Sequence, residues 1–333
     1  MAPRFGVIGA GALGYHHVRL MRDLVGDDFA GFYERTPDRA ASVAADLAVR
    51  AHASIAALLD DCDAVSVVTA TTAHHAVARE AIACGKQVFI EKPITVTLEE
   101  ADELLAMARA QGVLVQVGHV ERFNRAVRAA WPHIHGPRFI ESNRLAPFTS
   151  RGADVAVVLD LMIHDIDLVL ALLESAVTAV DAVGVNVLTP TADIANARVT
   201  FASGAVANIT ASRVSAERTR KLRIFQPSGY LSLDLAAGTG AYFRLREGID
   251  IAELVKGKGP LAMEAFVEMV PLDAPEGEPL KLELDAFVRA VRGEGPVLVP
   301  GEEGRQALDV ALRVMTEIER SLPAMTAPAG ARA

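Results

Sequence analysis

A glycine-rich segment near the amino end of the chain has the spacing of a phosphate-binding loop. Gly9, Gly11 and Gly14 form the pattern G-x-G-x-x-G directly after the apolar run 5–8. In that setting the first glycine permits a tight turn, the second lets the backbone approach a pyrophosphate, and the third lets a helix pack closely on the strand. The helix that follows offers free N–H groups to the anion. The pattern predicts a dinucleotide site; the alternative is a glycine-rich turn that binds no ligand.

Glu34 lies at the predicted end of the second strand, twenty residues after Gly14. A carboxylate at this place accepts hydrogen bonds from ribose hydroxyls and repels a 2′-phosphate, which favours NAD over NADP as the cofactor. Arg35 keeps NADP open, because its guanidinium could bind that phosphate. Glu34 could also be a solvated strand end without a ligand.

Lys92 belongs to the segment Glu91-Lys92-Pro93, which ends a predicted buried strand. Open α/β sheets bind their ligands at the carboxyl edge, and packing does not explain a lysine there. A nearby positive charge, such as oxidised nicotinamide, disfavours the ammonium form and would make Lys92 a candidate base. The alternative is a lysine whose ammonium group reaches solvent.

Asp160 and His164 are four residues apart in a segment with helical spacing, so we expect them on one face. A carboxylate beside an imidazole orients the ring and stabilises its charged form, as general acid–base catalysis requires. Asp167 could join that face, whereas Asp165 is expected to point elsewhere. Other interpretations stay open: a local ion pair on the helix, or a polar network that holds two domains together. A metal site of Asp160, His164 and Asp167 is a further alternative, although no HExxH or paired-cysteine signature accompanies it.

The elements that must position these residues follow from hydrophobic periodicity. The first third of the chain alternates short apolar runs with helical periods, which is typical of βαβ units and a parallel sheet. Thr97 and Glu100 predict a capping box at the start of a helix that Gly112 ends. The predicted strands are 5–8, 29–33, 65–68, 88–90 and 113–117.

After about residue 120 the pattern changes to a helix, 121–131, followed by alternating strands. In the clearest strand, 195–201, apolar and polar residues alternate, and Ser203-Gly204 turns the chain back. Further strands are predicted at 206–210, 222–225, 231–235 and 242–245. This pattern indicates a mostly antiparallel sheet, which the apolar helix 155–173 covers partly on one face.

The chain is therefore predicted to be an α/β protein of two domains. Residues 1–120 are expected to form an N-terminal Rossmann domain with a doubly wound parallel sheet. Residues 121–323 are expected to form a C-terminal α+β domain for substrate binding and oligomerisation, with the last helix, 303–322, packing back and 324–333 as a flexible tail. An uncovered face of the sheet 190–245 would be a subunit interface, so we expect a homodimer or homotetramer.

Composition excludes several classes of protein. The 333 residues carry a net charge of -9, the wrong sign for a nucleic-acid or anionic-membrane partner. The two cysteines, Cys62 and Cys84, form no CxxC pair, which excludes a disulfide framework and fits a reducing compartment. No signal peptide is expected, because the amino end enters a strand at once, and four ionisable residues in 155–173 argue against a membrane helix. We expect a cytoplasmic protein.

Together these features resemble the Gfo/Idh/MocA family, the glucose–fructose oxidoreductase and inositol dehydrogenase group. The resemblance covers nearly the whole chain and is carried by the segments GVIGAGALG, TATTAHHAVA, FIEKPI, VQVGHVERFN and LDLMIHDIDL. It implies oxidation of a sugar-like hydroxyl with NAD. In that family the lysine of EKP and the Asp/His pair line the substrate pocket beneath the nicotinamide, and the matching residues are Lys92, Asp160 and His164.

The same resemblance implies further contacts to the cofactor. The family's Ala-Thr-Pro-Thr loop is represented by Val68-Thr69-Ala70-Thr71, without the proline, and His74 occupies the usual histidine place. The full predicted set is Gly9, Ala10, Gly11, Ala12, Leu13, Gly14, Glu34, Arg35, Thr69, Ala70, Thr71, His74, Glu91 and Lys92. Residues that match no catalytic position, and are interpreted as structural or surface residues, are His17, Cys84, His133 and His135.

A narrower resemblance is to the members of this family that act as UDP-N-acetylglucosamine 3-dehydrogenases. It is carried by GHVERFN, by residues 144–148, and by ITASRVS with RKLRIFQPSGY. It implies a nucleotide sugar whose 3-hydroxyl becomes a ketone. Arginines would then meet diphosphate or sugar oxygens, and the alternative is that they pair with the abundant carboxylates. The predicted substrate residues are Lys92, His119, Arg122, Arg144, Asp160, His164 and Arg213.

Several rival functions stay open at this point. The enzyme could be an inositol or other sugar dehydrogenase, or a lyase or hydrolase that oxidises its sugar only transiently. A non-catalytic NAD-binding sensor is a further alternative, although such a protein should lack part of the set Lys92, Asp160 and His164, which this chain keeps. The residues do not decide whether Lys92 or His164 is the proximal base.

Overall fold

The computed structural model describes residues 2–149, 155–249, 256 and 263–321. As far as these ranges are described, the chain forms two compact units. The first comprises Met1–Phe123 and Gly277–Asp309, and the second comprises Asn124–Glu276 and Val310–Ala333. The predicted tail, 324–333, lies outside the described residues.

The first unit contains a parallel sheet of five strands in the order β2-β1-β3-β4-β5. The strand order reverses direction next to β1, and open α/β sheets bind ligands at such a point, outside the carboxyl ends of the strands. This confirms the predicted Rossmann architecture. The strands are β1 (Phe5–Ile8), β2 (Phe29–Tyr33), β3 (Ala64–Val67), β4 (Gln87–Glu91) and β5 (Val115–Gly118).

Helices connect these strands and bury apolar side chains against them. The predicted capping box is present: the Thr97 hydroxyl accepts from the Glu100 amide, and the Glu100 carboxylate accepts from the Thr97 amide. Gly112 ends that helix in the left-handed conformation. The helices are α1 (Ala12–Val25), α2 (Pro37–Leu47), α3 (Ile55–Asp61), α4 (Thr71–Ala83) and α5 (Leu98–Gln111).

A helix that was not predicted from the sequence, α8 (Pro279–Val291), also belongs to the first unit. It packs on α1, and the Phe287 ring stands edge-on to Phe5 and Phe89, with ring centroids 6.3 and 5.7 Å away. These buried aromatic contacts explain why residues 277–309 do not follow the predicted division into 1–120 and 121–323.

The second unit contains a sheet of eight strands in the order β13-β12-β11-β10-β6-β9-β8-β7. Among the described strand pairs of this sheet only β6–β9 is parallel, which confirms the predicted mostly antiparallel sheet. The strands are β6 (Phe139–Leu145), β7 (Val177–Val185), β8 (Ile194–Phe201), β9 (Val206–Ser212), β10 (Thr219–Gln226), β11 (Gly229–Asp234), β12 (Thr239–Leu245) and β13 (Val267–Leu272).

Two predicted helices differ in the structure. The helix expected at 121–131 is interrupted at Asn124, whose extended backbone and side-chain bond to the Ala126 amide start a separate helix, α6 (Arg125–Ala130). The helix expected at 155–173 begins with a π-helical turn, Val158–Met162, and continues as α7 (Ile163–Leu173). The last helix is α9 (Gly301–Ser321), and its Ile318 packs on Gly184 of β7.

The two faces of the large sheet differ in their cover. α7 packs on β6 and β9, over buried side chains such as Ile140 and Ile209. The other face carries a row of half-buried aromatic rings on four adjacent strands. Its neighbouring ring centroids are 5.6, 5.4 and 4.7 Å apart, in the order Phe139, Phe225, Tyr230 and Phe243.

Asp193 organises the loop between β7 and β8. Its carboxylate accepts from the amides of Val187, Leu188 and Thr189, at 2.6–2.9 Å, and from Nε of Arg213 at 2.8 Å. Burial alone would raise the pKa of Asp193, but these amides and the guanidinium hold it well below its usual range. The charged carboxylate therefore stabilises the folded loop.

We expect Asp193→Asn to lower the free energy of unfolding by about 3 kcal/mol, because it leaves a buried guanidinium without its counter-ion. The folded-state pKa lies below the unfolded value of about 3.9, so the contribution of Asp193 is present above that pH and fades as the pH falls further. Thermal melting at neutral and acidic pH measures both effects.

The matched control is Asp181→Asn, an exposed carboxylate on β7, which should change stability by no more than about 0.5 kcal/mol. Equal melting temperatures for Asp193→Asn and Asp181→Asn would contradict the role given to Asp193.

Candidate functional site

The three glycines of the loop after β1 each meet a distinct steric demand. Gly9 has a φ of +97°, and a Cβ there would lie 2.6 Å from the carbonyl oxygen of Val68. A Cβ on Gly14 would lie 2.2 Å from the Gly9 carbonyl oxygen, whereas one on Gly11 would meet nothing within 4 Å. Gly11 therefore leaves the backbone open to a ligand, and α1 begins there without a side-chain cap. The loop fits the pyrophosphate of a dinucleotide.

Glu34 lies at the carboxyl end of β2 and contacts this loop. Its carboxylate accepts from the amide of Ala10 at 2.8 Å and from that of Thr36 at 3.0 Å. Burial would raise the pKa of Glu34, but these amides lower it below its ordinary value, so the group is an anion beside the loop. Arg35 is exposed.

Arg39 is a residue of this region that sequence reasoning missed. From α2 its Nε donates to the Ala10 carbonyl at 2.8 Å and its Nη2 to the Gly11 carbonyl at 3.3 Å. The guanidinium thus holds this loop through two of its carbonyl groups. Nothing in the sequence marks Arg39, because it lies 28 residues beyond Gly11 and belongs to no motif.

The loop after β3 is joined to the segment after Lys92 by His74. The ring contacts the Pro93 carbonyl through Nδ1 at 2.9 Å and the Thr69 carbonyl through Nε2 at 3.2 Å. Burial lowers the pKa of His74, so the neutral ring donates one of these two bonds. Thr69 and Thr71 are half-buried and Ala70 is exposed, at the start of α4.

Lys92 is half-buried directly after β4, at the carboxyl edge where the sequence placed it. The preceding Glu91 is only 8% exposed. Its carboxylate accepts from Nε2 of His17 at 3.0 Å and from the Lys92 amide at 3.2 Å. His17, interpreted from sequence as a structural or surface residue, is therefore buried in contact with the EKP segment.

Two further predicted substrate residues follow β5. His119 is buried, with 1% of its surface exposed. Arg122 forms an ion pair with Glu303. This pair matches the alternative given for the arginines, in which they meet carboxylates of the protein.

The second unit places Asp160 in the π-helical turn and His164 in the first turn of α7, one helical turn apart. Both side chains are half-buried, whereas Asp165 and Asp167 are buried. Asp165 pairs with Arg144 of β6 through two bonds, Nε–Oδ2 at 2.7 Å and Nη2–Oδ1 at 2.9 Å. Because Asp165 follows His164 directly, this bidentate pair fixes the start of α7 on the sheet.

Arg144 and Arg213 are thus directed to partners inside the second unit. The Arg144 side chain is 4% exposed. Arg213 is 6% exposed and binds Asp193, with further bonds from Nη2 to the hydroxyls of Thr189 and Thr191. These contacts favour the carboxylate-pairing alternative over direct contact of either guanidinium with a substrate.

In the described part of the chain, no group of three or more His, Cys, Asp or Glu side chains is arranged to hold a metal ion. None of the helices described has the length and apolar character needed to cross a membrane.

Comparison with known proteins supports the resemblance to the Gfo/Idh/MocA family. Residues 3–119 match the model of an "Oxidoreductase family, NAD-binding Rossmann fold", and residues 115–232 match the "GFO/IDH/MocA C-terminal domain". UDP-N-acetylglucosamine 3-dehydrogenase from Acidithiobacillus ferrooxidans is 38% identical over 96% of this chain and 98% of its own. A solved structure of that enzyme superposes with a TM-score of 0.87 at 37% identity, covering 96% of this chain and 99% of the other.

A more distant relative is scyllo-inositol 2-dehydrogenase (NAD(+)) from Bacillus subtilis, 31% identical over 64% of this chain and 68% of its own. The matches to the family extend over both units, and the relatives are dehydrogenases. The chain therefore belongs to the GFO/IDH/MocA family of oxidoreductases, with residues 3–119 as its NAD-binding Rossmann domain.

Proposed function

We propose that the protein is an NAD-dependent dehydrogenase that oxidises the 3-hydroxyl of UDP-N-acetylglucosamine to a ketone. The observation that carries this proposal is the match to the A. ferrooxidans enzyme of that activity, which extends over 96% of this chain and 98% of the relative. The scyllo-inositol dehydrogenase matches over a smaller share, 64% of the chain. The substrate assignment therefore follows the relative that resembles the whole molecule.

The catalytic groups of this proposal are Lys92, Asp160 and His164. NAD, held by the glycine loop and Glu34, would supply the acceptor for the hydride. Lys92 or His164 removes the hydroxyl proton, and Asp160 orients the His164 ring and stabilises its charged form. The amide of Lys92 donates to the Glu91 carboxylate, which holds Lys92 at the sheet edge. His164 is held in place because the pair of Arg144 and Asp165 anchors the start of α7. The side chains of the protein thus position the reacting groups and supply the charges around them.

The substrate is tested by NADH formation with purified protein and a panel of UDP-sugars, free sugars and inositols. UDP-N-acetylglucosamine should give the highest kcat/KM. Turnover of inositols alone would replace this proposal with the inositol dehydrogenase alternative. Conversion of a sugar without net release of NADH would identify a lyase or hydrolase that oxidises its substrate transiently.

NAD should bind more tightly than NADP, because the Glu34 anion repels a 2′-phosphate. Glu34→Gln keeps the shape of the side chain and removes its charge, so the ratio of the two dissociation constants should fall by about 10-fold, corresponding to roughly 1.4 kcal/mol. Titration with both cofactors measures the ratio.

Arg35→Ala provides the comparison for this experiment, because Arg35 is the exposed cation next to Glu34. Tighter binding of NADP than NAD by the unmodified protein, abolished in Arg35→Ala, would show that Arg35 governs the choice of cofactor.

Lys92→Ala and His164→Ala should each lower turnover by about 10²–10⁴-fold, the usual effect of removing a positioned acid or base. NAD affinity should stay close to that of the unmodified protein. Asp160→Asn should have a smaller effect, since Asp160 acts through His164. The double variant should lose much less than the product of the two single losses, because the parts of one proton relay act as a unit.

Lys86→Ala is the matched control, because Lys86 directly precedes β4 at its other end and its ammonium binds the Cys62 carbonyl. It should keep full turnover. A lowered melting temperature with normal turnover in the Lys92, Asp160 and His164 variants would instead assign these residues to a structural network.

The proposed enzyme acts in the cytoplasm as a homodimer or homotetramer. The open face of the large sheet supports the assembly, because its aromatic row offers an apolar surface that a second copy can cover by a two-fold axis. Met269 extends the row on β13 and is 58% exposed. The low cysteine content supports the compartment.

Light scattering at micromolar concentration should return a mass of two or four chains. Tyr230→Arg should shift the mass towards one chain, because it places a charge in the middle of the aromatic row. Asp38→Arg, a charge reversal at an exposed residue of α2, should leave the mass unchanged. A monomeric unmodified protein would contradict the assembly.

A further inference from the structure

Three buried polar side chains from different elements form a chain of hydrogen bonds that ends at Glu91, the first residue of the EKP segment. His17 of α1 contacts the Ser66 hydroxyl of β3 through Nδ1 at 2.9 Å and the Glu91 carboxylate through Nε2 at 3.0 Å. Ser66 and His17 are 0% exposed. The second carboxylate oxygen of Glu91 accepts from the Lys92 amide at 3.2 Å.

We propose that His17 is a positioning residue for Lys92, and that it acts by holding the Glu91 carboxylate. This inference rests on the proposed function, in which Lys92 is a catalytic group. His17 does not reach the substrate. It fixes the carboxylate to which the backbone of Lys92 is bonded.

The hydrogen-bond pattern explains why a histidine is suited to this place. A neutral ring with its proton on Nε2 donates to Glu91 and accepts from the Ser66 hydroxyl, so that both ring nitrogens are satisfied. A buried carboxylate requires such donors, because an unpaired charge in the interior is costly. Burial alone would raise the pKa of Glu91, and the bond from His17 lowers it, so the carboxylate stays charged.

The surroundings leave Glu91 little freedom to move. A Cβ on Gly118 of β5 would lie 2.9 Å from the Glu91 carboxyl group, so the carboxylate fits where only a glycine leaves room. On the far side of Lys92, His74 contacts the Pro93 carbonyl at 2.9 Å. Lys92 is therefore flanked on both sides by residues that buried histidines contact.

The order Ser66, His17, Glu91 resembles the hydrogen bonding of a hydrolytic triad, but burial excludes that chemistry. The Ser66 hydroxyl lies inside β3 with none of its surface exposed, so it cannot meet a carbonyl substrate. The chain of bonds instead ends at the backbone of Lys92. Its role is to place that residue.

Two substitutions of His17 separate the two hydrogen bonds. The amide nitrogen of glutamine reaches the place of Nε2, so His17→Gln retains a donor to Glu91 and loses the contact with Ser66. The amide of asparagine reaches only the place of Nδ1, so His17→Asn retains the contact with Ser66 and loses that with Glu91. Both side chains are neutral amides, so they differ chiefly in which bond survives.

We expect His17→Asn to lower kcat by about 10- to 100-fold, since small displacements of a catalytic group have effects of this size. KM for the sugar and the dissociation constant of NAD should stay near their original values. His17→Gln should keep most of the turnover. The control is His52→Gln, another buried histidine of the same unit, whose ring contacts the Ala30 carbonyl on β2; it should keep kcat.

A second readout does not depend on turnover. Trace acetylation followed by mass spectrometry gives the labelling of Lys92 relative to Lys86 in the same chain. The ratio should rise in His17→Asn, because Lys92 is no longer held, and should stay unchanged in His17→Gln. The same Lys92 to Lys86 labelling ratio in His17→Asn and His17→Gln would overturn the inference. So would equal losses of kcat in the two variants, if both also lost NAD affinity and melting temperature to the same extent.

These outcomes are distinct from a failure of the proposed function. Full activity of Lys92→Ala would refute the catalytic assignment of Lys92 whatever the His17 variants do. A severe loss in Lys92→Ala with full activity in His17→Asn would refute only the positioning role. Absence of turnover with every sugar would leave the labelling ratio as the deciding measurement for His17.

Discussion

The close approach of α1 to the turn after β1 governs the geometry of the first unit. A side chain at position 14 would bring a Cβ to 2.2 Å from the Gly9 carbonyl oxygen, well inside van der Waals contact. Glycine at this position lets the helix begin directly on the turn, so that the amino end of the helix is available to bind an anion. His17 is three residues further on and falls on the same helix face. Its ring lies 5.6 Å from that of Phe89 on β4, which brings it to Glu91. One steric constraint thus sets both the phosphate loop and the support of the EKP segment.

The second unit positions its candidate catalytic residues by a different interaction. Its candidate acid–base pair lies on a helix that begins with a π-helical turn, an irregularity that is frequent at functional sites. A helix that begins irregularly is held in place by an anchor near its start. The buried bidentate pair of Arg144 and Asp165 provides it one residue after His164. The position of the histidine is thereby tied to a strand of the sheet.

The features that are predicted well from the sequence are those that depend on patterns of neighbouring residues. The steric roles of Gly9 and Gly14, the capping box of Thr97 and the alternating strands all follow from local spacing, and the structure confirms them. Contacts between residues that are distant in sequence cannot be predicted from local spacing. His17 and Glu91 are 74 residues apart, and α8 joins the first unit from the other end of the chain. Asn124 interrupts a helix that periodicity predicted as continuous, because one side-chain bond to a backbone amide outweighs the pattern.

The arginines show why residue type alone does not locate a substrate. Arg144 and Arg213 lie in motifs that resemble those of nucleotide-sugar enzymes, and a guanidinium suits a diphosphate well. Both are instead buried against carboxylates of the same unit. The same chemistry that recognises a phosphate also recognises an aspartate, and only the fold decides which is within reach. Motif arguments are therefore stronger for glycines, whose role is steric and local, than for arginines.

Three buried carboxylates of this protein lie where a segment must be held in one orientation. Glu91, Asp165 and Asp193 are buried carboxylates, each bonded to a histidine or an arginine from another element. Apolar side chains of similar size would stabilise a fold about as well, because taking a charge out of water offsets most of its attraction to a partner. Apolar contacts, however, have no direction, whereas a bidentate pair or a chain of hydrogen bonds fixes an orientation. Two of the three carboxylates directly neighbour a candidate catalytic residue, Lys92 or His164. We interpret these buried charges as devices for orientation, retained where displacement of a side chain by an ångström would be felt in the chemistry.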